Sequence, residues 1–215
     1  MTTDIFDGYA RMFAKFTTPY QLQAYEAAVS FLSGRVLDAG CGPAKLSAFI
    51  PMVGAVSSYL GVDNCKPMVN EGRKLLGHLK RKNFDIRYQS IDDTEETFDS
   101  VVSVQSYYAW CDATGTLQHL NRQTESGGSL VLVTANNKLD IEFLIRQCSR
   151  AYGQDPDWSQ YVKYNQTLAS LPQGRYVSLD TLIGEVRESG YEVVHTDTTL
   201  YEGGVNMVVA KKPVN

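Results

Sequence analysis

One stretch of nine residues decides the fold of this chain: Val36-Leu37-Asp38-Ala39-Gly40-Cys41-Gly42-Pro43-Ala44. Its pattern is that of a buried strand that ends in an acid, turns through Gly-x-Gly and enters a helix. Gly40 and Gly42 let a ligand approach the backbone and permit the positive φ of a tight turn. Pro43 suits the first position of a helix, where its missing N–H costs nothing.

A second acid, Asp63, ends the apolar run that follows. Parallel strands end at one edge of a sheet, where open α/β folds bind ligands, so we expect Asp38 and Asp63 to lie close together there. Asp63 could then accept both hydroxyls of a ribose. The simpler alternative is that each acid only caps the helix after it.

A dinucleotide-binding fingerprint fits this region poorly. Its third glycine would fall at Lys45, and the fingerprint does not call for an acid two residues before its first glycine. Asp38 holds that place, where it would disfavour a pyrophosphate and suit a cationic ligand. A nicotinamide-dependent oxidoreductase is therefore a less favoured interpretation of this loop, kept as an alternative.

Apolar runs alternate with helix-length segments along the chain. The predicted strands are 35–38, 58–63, 84–88, 100–104 and 129–134, followed by an antiparallel hairpin of 191–195 and 205–210. The predicted helices are 5–16, 19–32, 68–79, 116–124, 139–152, 158–171 and 179–188. This order predicts an α/β fold, namely a Rossmann-like three-layer sandwich with a seven-stranded, mostly parallel sheet and an antiparallel last strand.

The composition is that of an ordinary globular protein of 215 residues, 43% hydrophobic and 20% charged. With 20 basic and 24 acidic residues the net charge is −4, which disfavours a nucleic-acid partner. No apolar run approaches the roughly 18–20 residues that span a bilayer, and the start of the chain, 1–4, lacks the features of a secretory signal. The cysteines form no CxxC pair, so we expect a reduced, cytoplasmic protein with no metal site and no membrane partner.

Four motifs occur in the order found in one enzyme family. Residues 36–44, 60–68, 98–103 and 127–132 resemble the glycine loop, the acidic second-strand end, the fourth-strand motif and the Gly-Gly entry to the fifth strand of class I S-adenosylmethionine-dependent methyltransferases. The resemblance covers 34–134 and implies S-adenosyl-L-methionine as the cofactor. It places Gly40 and Gly42 at the methionyl part near Asp38, and Asp63 at the ribose. The full set of residues expected at the cofactor is Asp38, Gly40, Cys41, Gly42, Asp63, Asn64, Asp92 and Gln105.

The sequence departs from the family pattern at two places. The family often has an acid after the third strand, near the adenine, but here Ile91 aligns with that place, with Asp92 or Asp93 compensating. We expect Asp92 to take the place of that acid near the adenine. Ala44 replaces the usual third glycine, which is compatible with entry into a helix.

The segment 105–112 leaves the fourth strand at the edge expected to bind ligands, and it carries aromatic residues with polar tips. Tyr107, Tyr108 and Trp110 are therefore candidates for the substrate pocket, where aromatic faces can hold an amine. The alternative is that they pack beneath the next helix. Tyr9, on an apolar N-terminal helix face, is a further candidate, although such a stripe is more typical of core packing.

We expect a single domain, 1–215, with a helical lid at 1–33, a cofactor-binding core at 34–134, a helical substrate cap at 135–177 and a closing helix and hairpin at 178–215. The insertion 136–173 is too long for a simple connection. Its residues Trp158 and Tyr161 could instead form a docking surface for a macromolecule.

The predicted function is methyl transfer to a small-molecule acceptor. An amine is slightly favoured over a hydroxyl, because a hydroxyl needs a base and no histidine is placed to act as one. The alternatives are methylation of a peptide or protein terminus and a non-catalytic cofactor-binding scaffold. The sequence carries no signal for an oligomeric state.

Overall fold

The computed structural model describes residues 3–171 and 174–214. Two predictions fall partly outside these described residues. They concern the start of the chain, 1–4, of which residues 1 and 2 are not described, and the insertion 136–173, of which residues 172 and 173 are not described. In chain order the elements are α1 (Thr3–Lys15), α2 (Pro19–Val29), β1 (Gly34–Ala39), β2 (Val56–Asp63), α3 (Lys66–Leu79), β3 (Phe84–Tyr88), β4 (Phe98–Val104), α4 (Ala113–Gln123), β5 (Thr124–Ala135), α5 (Ile141–Tyr152), α6 (Trp158–Ala169), α7 (Leu179–Glu188), β6 (Glu192–Asp197) and β7 (Val205–Lys211).

These strands form one seven-stranded sheet with the order β3-β2-β1-β4-β5-β7-β6. Strands β1 to β5 pair in parallel, and β7 pairs antiparallel with both β5 and β6. Asp38 of β1 lies beside Gly61 of β2, so both strands end at the same edge. The predicted mostly parallel sheet with an antiparallel last strand is confirmed.

Helices cover both faces of the sheet and make three layers. Helices α1, α2, α3, α5 and α6 pack on the face that carries Val36 and Val102. Helices α4 and α7 pack on the face that carries Leu37 and Val101. Since successive side chains of a strand point to opposite faces, double burial explains the continuous apolar runs in the sequence. No helix in the described part of the chain has the length and apolar character that a membrane crossing requires.

Several predicted helix boundaries differ from the structure, and two of the differences, both at helix starts, have a clear physical reason. The glycine loop leads into a short 3-10 turn, Lys45–Ala48, rather than an α-helix, so Pro43 does not begin a helix. Ala44 precedes this turn with a φ of +55°, a left-handed conformation that costs roughly 1–2 kcal/mol in a residue other than glycine. Helix α4 begins at Ala113, earlier than predicted, because the Asp112 side chain caps it.

Candidate active site

A cavity of about 350 Å³, here called the outer cavity, lies at the carboxyl ends of β1, β2 and β4. This volume is in the range of roughly 300–1,000 Å³ that is typical of small-molecule sites. All eight residues expected at the cofactor border it: Asp38, Gly40, Cys41, Gly42, Asp63, Asn64, Asp92 and Gln105. The fold therefore brings these residues together in one place.

The loop after β1 requires glycine for physical reasons. Gly40 and Gly42 have φ values of +73° and +54°, which favour glycine. A Cβ at Gly40 would also overlap the hydroxyl of Ser106. Ser106 is held there because its hydroxyl donates to the carbonyl of Ala39 at 2.9 Å. At Gly40 and Gly42 the loop consequently presents only backbone to the outer cavity.

Asp63 braces this loop as well as bordering the cavity. Its Oδ2 accepts the backbone N–H of Gly42 at 2.8 Å, and its Oδ1 accepts that of Cys65 at 2.8 Å. Burial raises the pKa of Asp63, and these two backbone hydrogen bonds oppose that rise. Asp63 therefore does not cap α3, whose N-cap residue is Cys65, but holds the backbone before that helix and the glycine loop. Each carboxylate oxygen can still accept a second donor, as a ribose would require.

Asp38 is the more deeply buried acid, with 2% of its surface exposed. The Tyr59 hydroxyl donates to its Oδ2 at 2.7 Å. Burial raises the pKa of Asp38 to about 7, the Tyr59 hydrogen bond opposes the rise, and the nearby Asp63 adds to it. A cationic group bound beside Asp38 would restore its charge, because an opposite charge favours the ionised form.

The third acidic position lies in a 3-10 turn, Ile91–Asp93, at the rim of the outer cavity. Ser90 begins this turn by accepting the backbone N–H of Asp92 at 3.3 Å. Both Ile91 and Asp92 border the cavity, whereas Asp93 does not. Ile91 therefore offers an apolar surface and Asp92 a solvent-exposed carboxylate at the same place.

The aromatic candidates after β4 separate into two groups. Tyr108 and Trp110 border the outer cavity, and the Trp110 indole N–H donates to Ser106. Tyr107 does not border it. Its side chain packs with α4 and α7 on the other face of the sheet, where its hydroxyl donates to Glu185 and accepts from Arg175. The prediction that Tyr107 lines the pocket is wrong because adjacent residues of this short turn point to opposite faces.

A second, smaller cavity of about 50 Å³, here called the inner chamber, adjoins the outer cavity. Four side chains border both: Tyr9, Phe13, Gln105 and Tyr108. Tyr9 also belongs to the apolar core, so its pocket role and its packing role coexist. Its hydroxyl donates to Asn165 of α6 at 3.1 Å. We did not predict Asn165, since an isolated asparagine within a helix gives no sequence signal for a site.

Helices α1 and α6 close over this region. The Tyr9 ring stacks on Tyr161 at 5.4 Å, and Phe16 packs edge-on against Trp158 at 5.5 Å. At the surface Lys15 pairs with Asp155 and Asp157. Trp158 and Tyr161 are both buried, so they cannot form the exposed docking surface suggested for a macromolecular acceptor. None of the three histidines borders either cavity.

The outer cavity fits the cofactor implied by the sequence. Asp38 can neutralise an ammonium or sulfonium, Asp63 keeps accepting capacity for hydroxyls, and the glycine loop allows close approach to the backbone. Apolar surface for a ring comes from Ile91 and Met68, which both border the outer cavity. The charge, the hydrogen-bond acceptors and the shape of the outer cavity therefore match those that S-adenosylmethionine requires.

Comparison with known sequences connects the chain to a family. A family profile described as a methyltransferase domain matches residues 4–196. The mitochondrial ubiquinone biosynthesis O-methyltransferase of Homo sapiens is 27% identical over 173 residues, which are 74% of this chain and 46% of that protein. The chain spans about half the length of the curated relatives it matches.

Solved structures share the fold. The putative methyltransferase in the complex with the Haloferax volcanii Trm112 methyltransferase activator has a TM-score of 0.72 and 14% identity, with 97% of both chains covered. A putative S-adenosyl-L-methionine-dependent methyltransferase from Methanococcus maripaludis has a TM-score of 0.67 and 17% identity, with 97% of this chain and 94% of that one covered. Together with the profile match, which spans most of the sequence, they show that the chain belongs to the class I S-adenosylmethionine-dependent methyltransferases, whose cofactor is S-adenosylmethionine.

Proposed function

We propose that this protein transfers a methyl group from S-adenosylmethionine to a small-molecule acceptor. The observation that carries this proposal is the pair of adjoining cavities. The outer cavity is lined by the residues expected at the cofactor, and the inner chamber lies behind Gln105 and Tyr108 beneath α1 and α6. A chamber of only about 50 Å³ suits part of a small molecule better than a polypeptide chain.

When bound, S-adenosylmethionine supplies an electrophilic methyl group on a sulfonium. The chain's own task is to align the two reactants, since orientation accounts for much of the barrier to a displacement. Asp38 and Asp63 would bind and orient the cofactor from one side. Tyr9, Phe13 and Tyr108, which border both cavities, would exclude water from the reacting groups.

An amine acceptor remains favoured over a hydroxyl. A hydroxyl must lose its proton as it attacks, and this requires a base, whereas a neutral amine already carries a free lone pair. The described wall of the inner chamber carries no histidine and no carboxylate. The human relative is named an O-methyltransferase, so a decisive assay must include both kinds of acceptor.

The assay uses purified protein, S-adenosylmethionine and ring-matched anilines and phenols, with demethylated cofactor as the readout. We expect turnover with anilines. A strict requirement for a phenol or a carboxylic acid would contradict the amine preference. Cofactor binding without turnover of any acceptor would support the non-catalytic scaffold instead.

The cofactor site has its own test, Asp63→Ala. We expect binding of demethylated cofactor to weaken by about 1.5–3 kcal/mol, the cost of a lost hydrogen bond to a charged group. Calorimetric titration measures it, and thermal unfolding reports the lost bracing of Gly42 and Cys65 separately. The matched control is Asp85→Ala, an exposed carboxylate on β3 that borders neither cavity. Equal affinity in both variants would overturn the site.

A further inference from the structure

The inner chamber differs from the outer cavity in charge. Its space of about 50 Å³ is several times the roughly 10–15 Å³ that one water molecule needs. Every described side chain on its wall is aliphatic, aromatic, hydroxyl or amide, whereas four aspartates border the outer cavity. A charged group entering the chamber would lose its hydration and find no opposite charge there.

The tyrosines of the chamber offer a cation no opposite charge. Tyr9 stacks on Tyr161 with 24° between the ring planes, and Tyr108 stacks on Tyr176 with 8° between them. Each ring thus gives one face to its neighbour. Burial raises the pKa of Tyr9 well above its usual value, and Tyr108 shifts in the same direction for the same reason. These phenols consequently stay neutral.

Gln105, in the wall between the two cavities, has one unused donor. Its Oε1 accepts the backbone N–H of Ala135 at 3.0 Å and the hydroxyl of Tyr20. This fixes which end of the amide is oxygen, and it leaves Nε2 buried without a partner among the described residues. Only 9% of Gln105 is exposed, and its φ is +61°. Strained backbone of this kind concentrates at functional sites.

We propose that the inner chamber receives an uncharged group of the methyl acceptor, and that Gln105 Nε2 donates a hydrogen bond to an oxygen of that group. An amide or a hydroxyl meets both requirements, because each is neutral and carries an accepting oxygen. An ammonium offers no lone pair to Nε2, and a carboxylate brings a charge that nothing in the described wall balances. This inference rests on the proposed function and names the chemistry that it selects.

The test uses protein saturated with demethylated cofactor and three probes of similar shape: propionamide, propionate and propylammonium. Protein-detected NMR titration gives the three affinities. We expect propionamide to bind about tenfold more tightly than either ion, the scale set by leaving a buried polar group unpaired. Equal affinity for all three probes would overturn the proposal.

Variants of Gln105 sharpen the test. Gln105→Glu keeps an oxygen for Ala135 and Tyr20 but replaces the N–H donor with a second acceptor, so propylammonium should become the preferred probe. Gln105→Met removes the amide and should weaken the affinity for propionamide by more than it weakens the affinity for the demethylated cofactor, whose site Gln105 also borders. Tyr107→Phe, outside both cavities, should keep the wild-type order.

The outcomes separate two failures. If the demethylated cofactor does not bind the wild-type protein, the proposed function fails. If it binds and Gln105→Glu still prefers propionamide, only the inference about the chamber fails. A loss of cofactor affinity in Gln105→Met that exceeds its loss of propionamide affinity would place Gln105 in the cofactor site and overturn the inference.

Discussion

The outer cavity and the inner chamber adjoin each other but are built in opposite ways. The residues expected at the cofactor come from the ends of β1, β2 and β4 and the turn after β3, and four aspartates border the outer cavity. The inner chamber takes residues from Tyr9 to Tyr176, contributed by α1, α2, α5, α6 and the segments between them, and its described wall is uncharged. Short backbone motifs can bind a cofactor of fixed shape and charge, whereas the proposed acceptor site is made of side chains that only tertiary packing brings together.

The largest effect is expected from Gly40→Val, which disrupts the outer cavity and leaves the inner chamber unchanged. In Gly40→Val the new side chain overlaps Ser106, and the φ of +73° strains a β-branched residue. We expect affinity for the demethylated cofactor to fall about 100-fold or more, since each such strain costs roughly 1–3 kcal/mol and the clash adds to it. Calorimetric titration measures the loss.

The control for this variant is Gly77→Ala. Gly77 lies within α3, and a Cβ there meets nothing within 4 Å. Alanine should stabilise the helix by about 0.5–1 kcal/mol and leave cofactor affinity unchanged. If Gly40→Val bound the cofactor as well as Gly77→Ala did, the loop would not be the cofactor's cradle.

The contrast also explains what the sequence could predict. The strands and the glycine loop were predictable because double burial and positive φ restrict residue type at each position. Asp38 and Asp63 were predictable as neighbours because parallel strands end at one edge. The 3-10 turn at Lys45–Ala48 was not, since Ala44 has no local signal for its left-handed conformation.

The inner chamber lay beyond prediction for a different reason. Asn165 meets Tyr9 across 156 positions of sequence, through the packing of α1 on α6. No periodicity encodes such a contact. Tyr107 and Tyr108 show the same limit at short range, because one turn sends the first to Glu185 and the second to the cavities.

A change of pH should have an intermediate effect on the affinity for the cofactor. Asp38, with its pKa raised by burial to about 7, is ionised above that pH, and the ionised form binds a cationic ligand more tightly. Cofactor affinity should therefore fall as pH drops below 7, by up to about tenfold per pH unit. Titrations of S-adenosylmethionine across this range measure the slope. The opposite slope would separate Asp38 from the cofactor.

Stability should change the other way in the same window. Between about pH 4 and 7 the folded, cofactor-free chain keeps a proton on Asp38 that the unfolded chain has lost, so the free energy of unfolding falls as pH rises. Asp38→Asn should remove most of both trends. Burial also lowers the pKa of Lys45 to about 7, but Lys45 borders neither cavity. Between about pH 7 and 10.5 the folded chain lacks a proton on Lys45 that the unfolded chain keeps, so Lys45 makes the free energy of unfolding rise with pH, in a different window and with the opposite sign. A fall in the free energy of unfolding between pH 4 and 7 that survives Asp38→Asn would contradict its assignment to Asp38.

The smallest expected effect is that of Tyr107→Phe, which tests whether the proposed acceptor site extends beyond the inner chamber. Tyr107→Phe removes a hydroxyl that donates to Glu185 and accepts from Arg175 at 3.1 Å, while the ion pair between those two residues remains. Burial raises the pKa of Tyr107 to about 12, so the neutral phenol makes both hydrogen bonds. We expect the free energy of unfolding to fall by about 0.5–1.5 kcal/mol in denaturant titrations, with unchanged affinity for cofactor and propionamide. A loss of propionamide affinity without a loss of stability would extend the acceptor site through the sheet edge to α7. Acceptor binding would then no longer be confined to the inner chamber, nor cofactor binding be the only role of the residues outside it.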